Sequence, residues 1–217
     1  MIRFVILNRS KIMNLMNFVD YAGTFAFAIS GIRLASAKKF DWFGAYVIGF
    51  VTAIGGGTLR DLLLNVTPFW MIQPSYLIIT GLALIAVITF GKHLIKLNNT
   101  FFIFDAIGLG LFVVVGIEKS IEVGFPFWVT IIMGMVTGSV GGILRDILIN
   151  EVPLIFRKDI YALACVLGGF VYYICYKLLA PIELTQILSA GSVILMRLLA
   201  VKYHLSLPVL KGSDNEK

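Results

Sequence analysis

Two copies of one ionisable pair, Arg60-Asp61 and Arg145-Asp146, stand inside apolar runs of membrane length. Each is approached through glycines, Gly55-Gly56-Gly57 before the first pair and Gly141-Gly142 before the second. Charge at such depth is costly and rarely faces lipid, so it marks either an ion or substrate pathway or a structural ion-pair network. On a regular helix Gly49, Thr52, Gly56 and Arg60 share one face, and Gly134, Thr137, Gly141 and Arg145 repeat it. Small residues on that face leave space beside the hydroxyls of Thr52 and Thr137. The chemistry on offer is passage of a small ion, with no bond made or broken.

The glycines admit two readings. Adjacent glycines cost about 1 kcal/mol each relative to alanine in a helix, so both helices can unwind or kink at mid-membrane and turn carbonyl oxygens toward a cation, provided the freed groups find partners. Alternatively, Gly134, Gly138 and Gly142 form a small-residue ridge for close helix packing. Consecutive helical residues point about 100° apart, so Arg60 need not pair with its own Asp61. Pairing between the copies, Arg60 with Asp146, is the alternative, with Asp20 and Asp105 as further members of the network.

These pairs sit in a chain of 217 residues with 59% hydrophobic residues, 14% charged residues and a mean hydropathy of +0.94. Soluble domains carry about 45–50% apolar and about 25% charged residues, which excludes an ordinary soluble enzyme and a disordered chain. Apolar stretches at 17–35, 42–64, 75–91, 101–117, 126–149, 160–179 and 183–202 predict an all-α integral membrane protein with seven transmembrane helices. The short connectors leave no room for a soluble domain. Residues 1–16 are expected to be an N-terminal extension, with Met13 or Met16 as alternative starts; it is too short to span and lacks a cleavage site for a signal peptide. Residues 203–217 form a tail.

The 18 basic residues are scattered rather than gathered into an aromatic-laced stripe, which argues against nucleic acid. Cys165 and Cys175 lie too far apart on a helix for a disulfide and have no neighbours to complete a metal site. His93 and His204 fall at span ends beside lysines. Neither a nucleophile elbow, a zinc motif nor a P-loop is present, so neither an enzyme nor a cofactor is expected.

The chain matches itself at an offset of 85 residues without gaps. Nineteen of the 63 positions from 20 to 82 are identical to their counterparts, among them Asp20 and Asp105, Tyr76 and Tyr161, and the run ending in Asn65 and Pro68 or Asn150 and Pro153. Each copy, 17–91 and 101–179, holds three spans. An odd number makes the second enter the membrane inverted, an arrangement that places the permeant site at the repeat interface. The span at 183–202 has no counterpart. Ten basic residues flank the spans on the side of the C-terminus against five on the side of the N-terminus, so the C-terminus is expected in the cytoplasm and the N-terminus outside.

The paired Gly-Gly-x-x-Leu-Arg-Asp segments, each ending Asn-x-x-Pro, and the Asp-x-x-Gly that opens each copy closely resemble the bacterial trimeric intracellular cation (TRIC) channel family, whose domain is also described as a glycine-transporter domain. The resemblance covers residues 17–202. It implies two inverted three-helix repeats plus one helix, a homotrimer in the inner membrane with a pore in each protomer, and kinked second and fifth helices lining that pore. On this basis Gly55, Gly56, Gly57, Gly141 and Gly142 are the kink residues, and Thr52, Thr137, Ser139, Arg60, Asp61, Arg145 and Asp146 line the pore. Val140 stands where a third glycine of the second copy would be.

The first functional expectation is a conduit for monovalent cations, K⁺ foremost. A Thr-Val-Gly-Tyr-Gly filter is absent, so selectivity would not come from a four-loop carbonyl cage. The second is a carrier for glycine or another small zwitterionic amino acid, with arginine meeting the carboxylate. A lipid-binding scaffold is the third.

Overall fold

The computed structural model describes residues 2–96, 100–156, 160–203 and 205, with side chains described over 15–91, 101–156, 160–203 and 205. The expected connector Arg157-Lys158-Asp159, the His93 and His204 side chains and most of the tail lie outside them. Among the described residues the chain forms α1 (Ile2–Ala37), α2 (Trp42–Leu63), α3 (Phe69–Ile72), α4 (Ser75–Lys96), α5 (Thr100–Glu122), α6 (Phe127–Leu148), a 3-10 turn (Leu154–Phe156), α7 (Ala162–Lys177) and α8 (Ile182–Lys202). Each expected apolar stretch falls on one of the seven longer helices. Five segments, Leu15–Ala37 of α1, α2, Phe101–Glu122 of α5, α6 and α8, are long and apolar enough to cross a membrane, and Ser75–Gly91 and α7 are shorter apolar helices. Residues 2–16 are helical and belong to α1.

Turn chemistry explains where the helices stop. Asn65 and Asn150, 85 positions apart, both take φ 57°, a left-handed conformation that asparagine tolerates. The N–H of Asn65 reaches Leu62 O and that of Val66 reaches Asp61 O, while Asn150 and Glu151 bond Ile147 O and Asp146 O. This is a Schellman cap in each copy. Lys39 (φ 62°) and Gly124 (φ 90°) form a second matched pair after α1 and α5. Asp41 caps α2 by accepting from Gly44 N at 2.6 Å, and prolines open α6 and α8.

Packing repeats in the same pairs. The α1 helix lies against α2 and α4 as α5 lies against α6 and α7, and the two sets meet through α1 on α5 and α2 on α6. At the centre Phe27 and Phe112, again 85 apart, cross edge to face with centroids 5.1 Å apart. The α8 helix seats on α5 and α7. Large apolar side chains remain exposed along the outer faces, such as Ile78, Ile85, Trp128, Phe170, Ile187 and Leu195, as lipid contact requires.

The expected unwinding at Gly55, Gly56, Gly57, Gly141 and Gly142 is absent from this structure, because α2 and α6 remain α-helical through them. Close approach of the facing backbone accounts for two of these glycines in this structure. A Cβ on Gly56 would strike the Thr137 carbonyl oxygen, and one on Gly141 would strike that of Thr52. The contact is reciprocal, since 56 and 141, like 52 and 137, are 85 apart. Two backbones touch where only hydrogen fits, so the crossing needs glycine for its missing side chain.

Candidate functional site

The arginine of each copy sits one helical turn beyond this crossing. Arg60 Nε donates to Asp61 Oδ1 at 2.8 Å and Nη2 approaches the same oxygen at 2.8 Å. Asp61 Oδ2 accepts from the backbone N–H of Phe69 at 2.9 Å. Arg145 Nε likewise donates to Asp146 Oδ1 at 2.8 Å, and Asp146 Oδ2 accepts from Leu154 N at 3.0 Å. The two segments therefore share one device. The carboxylate neutralises its neighbour with one oxygen and fastens the chain beyond the proline with the other, which accounts for the spacing from Arg-Asp to Asn-x-x-Pro.

Of the two pairings left open, the structure has the local one and not Arg60 with Asp146. Each arginine takes the aspartate next in sequence, because both sit at the last turn of a helix and the long guanidinium arm folds back around it. The wider network holds in one copy. Arg145 Nη1 donates to Asp105 Oδ1 at 2.5 Å and to Ser30 Oγ of α1 at 2.8 Å. No ion pair joins Arg60 to Asp20 among the described residues; Tyr76 instead donates its hydroxyl to Asp20 Oδ2 at 2.5 Å, and Arg60 lies over the Phe69 ring at 5.5 Å.

Space differs accordingly. A cavity of about 90 Å³ opens in the first copy, lined among others by Asp20, Arg60, Phe69, Tyr76, Val115 and Lys119. One of about 260 Å³ lies at the second, lined by Leu34, Lys38, Phe101, Asp146, Glu151 and Leu154 among others. Phe69 and Leu154, like Lys119 and Leu34, are counterparts at the offset of 85, so the two spaces are equivalent places. The first reaches its arginine and carboxylate; the second stops at Asp146, with Arg145 and Asp105 fully buried behind. Lys38, at its rim, pairs with Glu151 at 2.6 Å.

The hydroxyls do not face these cavities. Thr52 and Thr137 are buried, bond back to Ile48 O and Met133 O, and lie against Gly31 and Gly116. Ser139 is buried and bonds Met135 O. Three participants receive no role from the sequence. Tyr76 is marked there only by its recurrence as Tyr161. Lys119 and Arg197 have no charged counterpart at the offset of 85. Arg197 is fully buried, its guanidinium 4.5 Å from the centroid of Phe102 and 4.6 Å from that of Tyr161. Its cation thus stands beside the second copy alone.

A family profile described as Glycine transporter matches residues 17–92 and 102–177, the same two segments that the offset of 85 relates. Crystal structures of the TRIC trimeric intracellular cation channel orthologue from Rhodobacter sphaeroides are similar at 33% identity, over 88% of this chain and 99% of that one, with a TM-score of 0.83. The chain belongs to the TRIC family. A second solved TRIC cation channel is 37% identical over 91% of this chain and 98% of its own, with a TM-score of 0.80. The UPF0126 inner membrane protein YadS of Escherichia coli K12 is 37% identical over 204 residues, 93% of this chain and 99% of YadS. The protein is an all-helical membrane protein with the TRIC fold and is not an enzyme, since TRIC proteins are non-enzymatic membrane channels.

Proposed function

We propose that the protein is a channel for monovalent cations, chiefly K⁺, with one pore in each protomer of a homotrimer in the cell membrane. The observation that carries this reading is the pair of equivalent cavities at the two ends of the α2 and α6 crossing, each bordered by a neutralised Arg-Asp unit. All seven longer helices span, the two repeats are inverted, and the N-terminus lies outside with the C-terminus in the cytoplasm. The first cavity then faces outward and the second inward. Each arginine is balanced by its own aspartate, so the further carboxylate Asp20, which lines the first cavity, sets the local preference for cations there. The closed crossing of this structure separates the cavities. Conduction requires α2 and α6 to part or bend at Gly55, Gly56, Gly57, Gly141 and Gly142, which brings Thr52, Thr137 and Ser139 to the path.

Purified protein in planar bilayers, with K⁺ as the sole cation, is expected to give unitary currents that fall several-fold in Asp20→Asn. Silent bilayers together with saturable glycine uptake into liposomes would overturn the channel in favour of a carrier.

A further inference from the structure

Arg33 and Glu118 are counterparts at the offset of 85, and their surroundings have diverged. Glu118 is buried, and its Oε1 accepts from Tyr172 of α7 at 3.1 Å and from Gln186 Nε2 of α8 at 2.7 Å. The space beside it is filled by rings, with Phe127 against Tyr172, Tyr173 and Tyr176 at 6.4, 4.4 and 5.7 Å between centroids. In the first copy Val87, Ile88 and Gly91 stand where those tyrosines are. An open groove of about 330 Å³ results, lined by Arg33 and by Phe40, Trp42, Leu84, Val87 and Ile88 among others.

Arg33 is the one charged residue in that lining. Its Nε is buried without a hydrogen-bond partner among the described residues. A guanidinium with a free N–H calls for an anion with oxygen acceptors, and phosphate suits its planar fork. Apart from Ser36 the rest of the wall is apolar, and it continues onto the exposed face of α4 at Ile85 and Ile88. We propose that this groove seats an anionic glycerophospholipid, its phosphodiester on Arg33 and an acyl chain along α4. Free phosphate would satisfy the arginine and leave the apolar wall uncovered, whereas a lipid satisfies both, as in basic pockets between membrane helices elsewhere. The site is independent of the conduction path, so it stands whether or not the channel reading does.

Native mass spectrometry of the detergent-purified chain, titrated with phosphatidylglycerol or phosphatidylcholine, tests the assignment. Phosphatidylglycerol is expected to bind in preference, and Arg33→Gln to reduce that preference about tenfold, the worth of one charge-assisted hydrogen bond. Gly91→Tyr installs the counterpart of Tyr176 where nothing lies within 4 Å of a Cβ, and is expected to displace both lipids while the protein stays folded. Inorganic phosphate at millimolar concentration should not compete. Equal binding of the two lipids, an unchanged preference in Arg33→Gln, unchanged binding in Gly91→Tyr, or displacement by phosphate would each overturn the site.

Discussion

The two copies of the Arg-Asp unit share a local structure and differ in what surrounds it. In both, the aspartate bridges its neighbouring arginine and the backbone beyond the proline. In the second copy the arginine is also locked by Asp105 and Ser30, and Arg197 stacks beside Tyr161. In the first, Val115 takes the place of Ser30, Asp20 is held by Tyr76, and a cavity reaches the arginine. Duplication has thus conserved the part that holds the chain together and released the part that decides whether the site is open. Divergence at Ser30 and Val115, on the neighbouring repeat in each case, accounts for much of the contrast.

The largest test removes the arginines. Arg145→Leu strands two carboxylates, Asp146 and the fully buried Asp105, a loss of about 3–5 kcal/mol for a broken buried pair. Arg60→Leu strands one carboxylate, Asp61, which keeps the backbone N–H of Phe69, and is expected to cost about half as much. Thermal unfolding in detergent should rank Arg145→Leu well below Arg60→Leu. Equal destabilisation would mean that the open and locked sites are energetically the same.

The crossing provides the reverse expectation, since its contacts are reciprocal. Gly56→Ala and Gly141→Ala each drive a methyl into a carbonyl of the facing helix, at about 1–3 kcal/mol for overpacking. Both should lower the unfolding temperature to a similar extent. Gly81→Ala, with nothing within 4 Å of its Cβ, should be neutral or slightly stabilising. A strong effect at Gly56 without one at Gly141 would break the equivalence of the halves.

The tyrosines separate the copies more finely. Tyr76→Phe deletes a hydrogen bond to Asp20 and should cost about 1 kcal/mol. Tyr161→Phe removes a hydroxyl that has no partner among the described residues, and unfolding temperatures should show little change.

The likeness of the copies was legible in the sequence and their difference was not. The offset of 85 located the Arg-Asp units, the small-residue faces and the asparagine caps, because each depends on local spacing. Apolar length located the helices. What Gly56 and Gly141 do in this structure depends on a facing backbone, since Gly56 meets the carbonyl of Thr137, and no spacing within one helix reports on the helix across from it. Thr52 and Thr137 look like lining residues until their hydroxyls are seen to bond within their own helices. The partner of Arg60 stays open in the sequence for a related reason. The 100° rule describes where Cβ atoms point, while a guanidinium several bonds further out can return to its neighbour at a helix end.

The smallest expected effect addresses the origin of the contrast. Ser30→Ala removes one of the hydrogen bonds of Arg145 and leaves Asp105 and Asp146 in place, a loss of about 0.5–1 kcal/mol. Val115→Ser offers Arg60 the hydroxyl its counterpart has, on a residue that already lines the cavity. If that hydroxyl draws Arg60 toward α5, the first cavity narrows. Its closure can be read from thiol labelling at Asn17→Cys, which lines the same space, because Cys165 and Cys175 are both buried. Labelling should slow several-fold in the Val115→Ser background, within the factor of about ten that a single hydrogen bond allows. An unchanged rate would assign the open state of the first copy to Tyr76 and its hold on Asp20 instead, since that contact would then be what keeps the carboxylate away from Arg60.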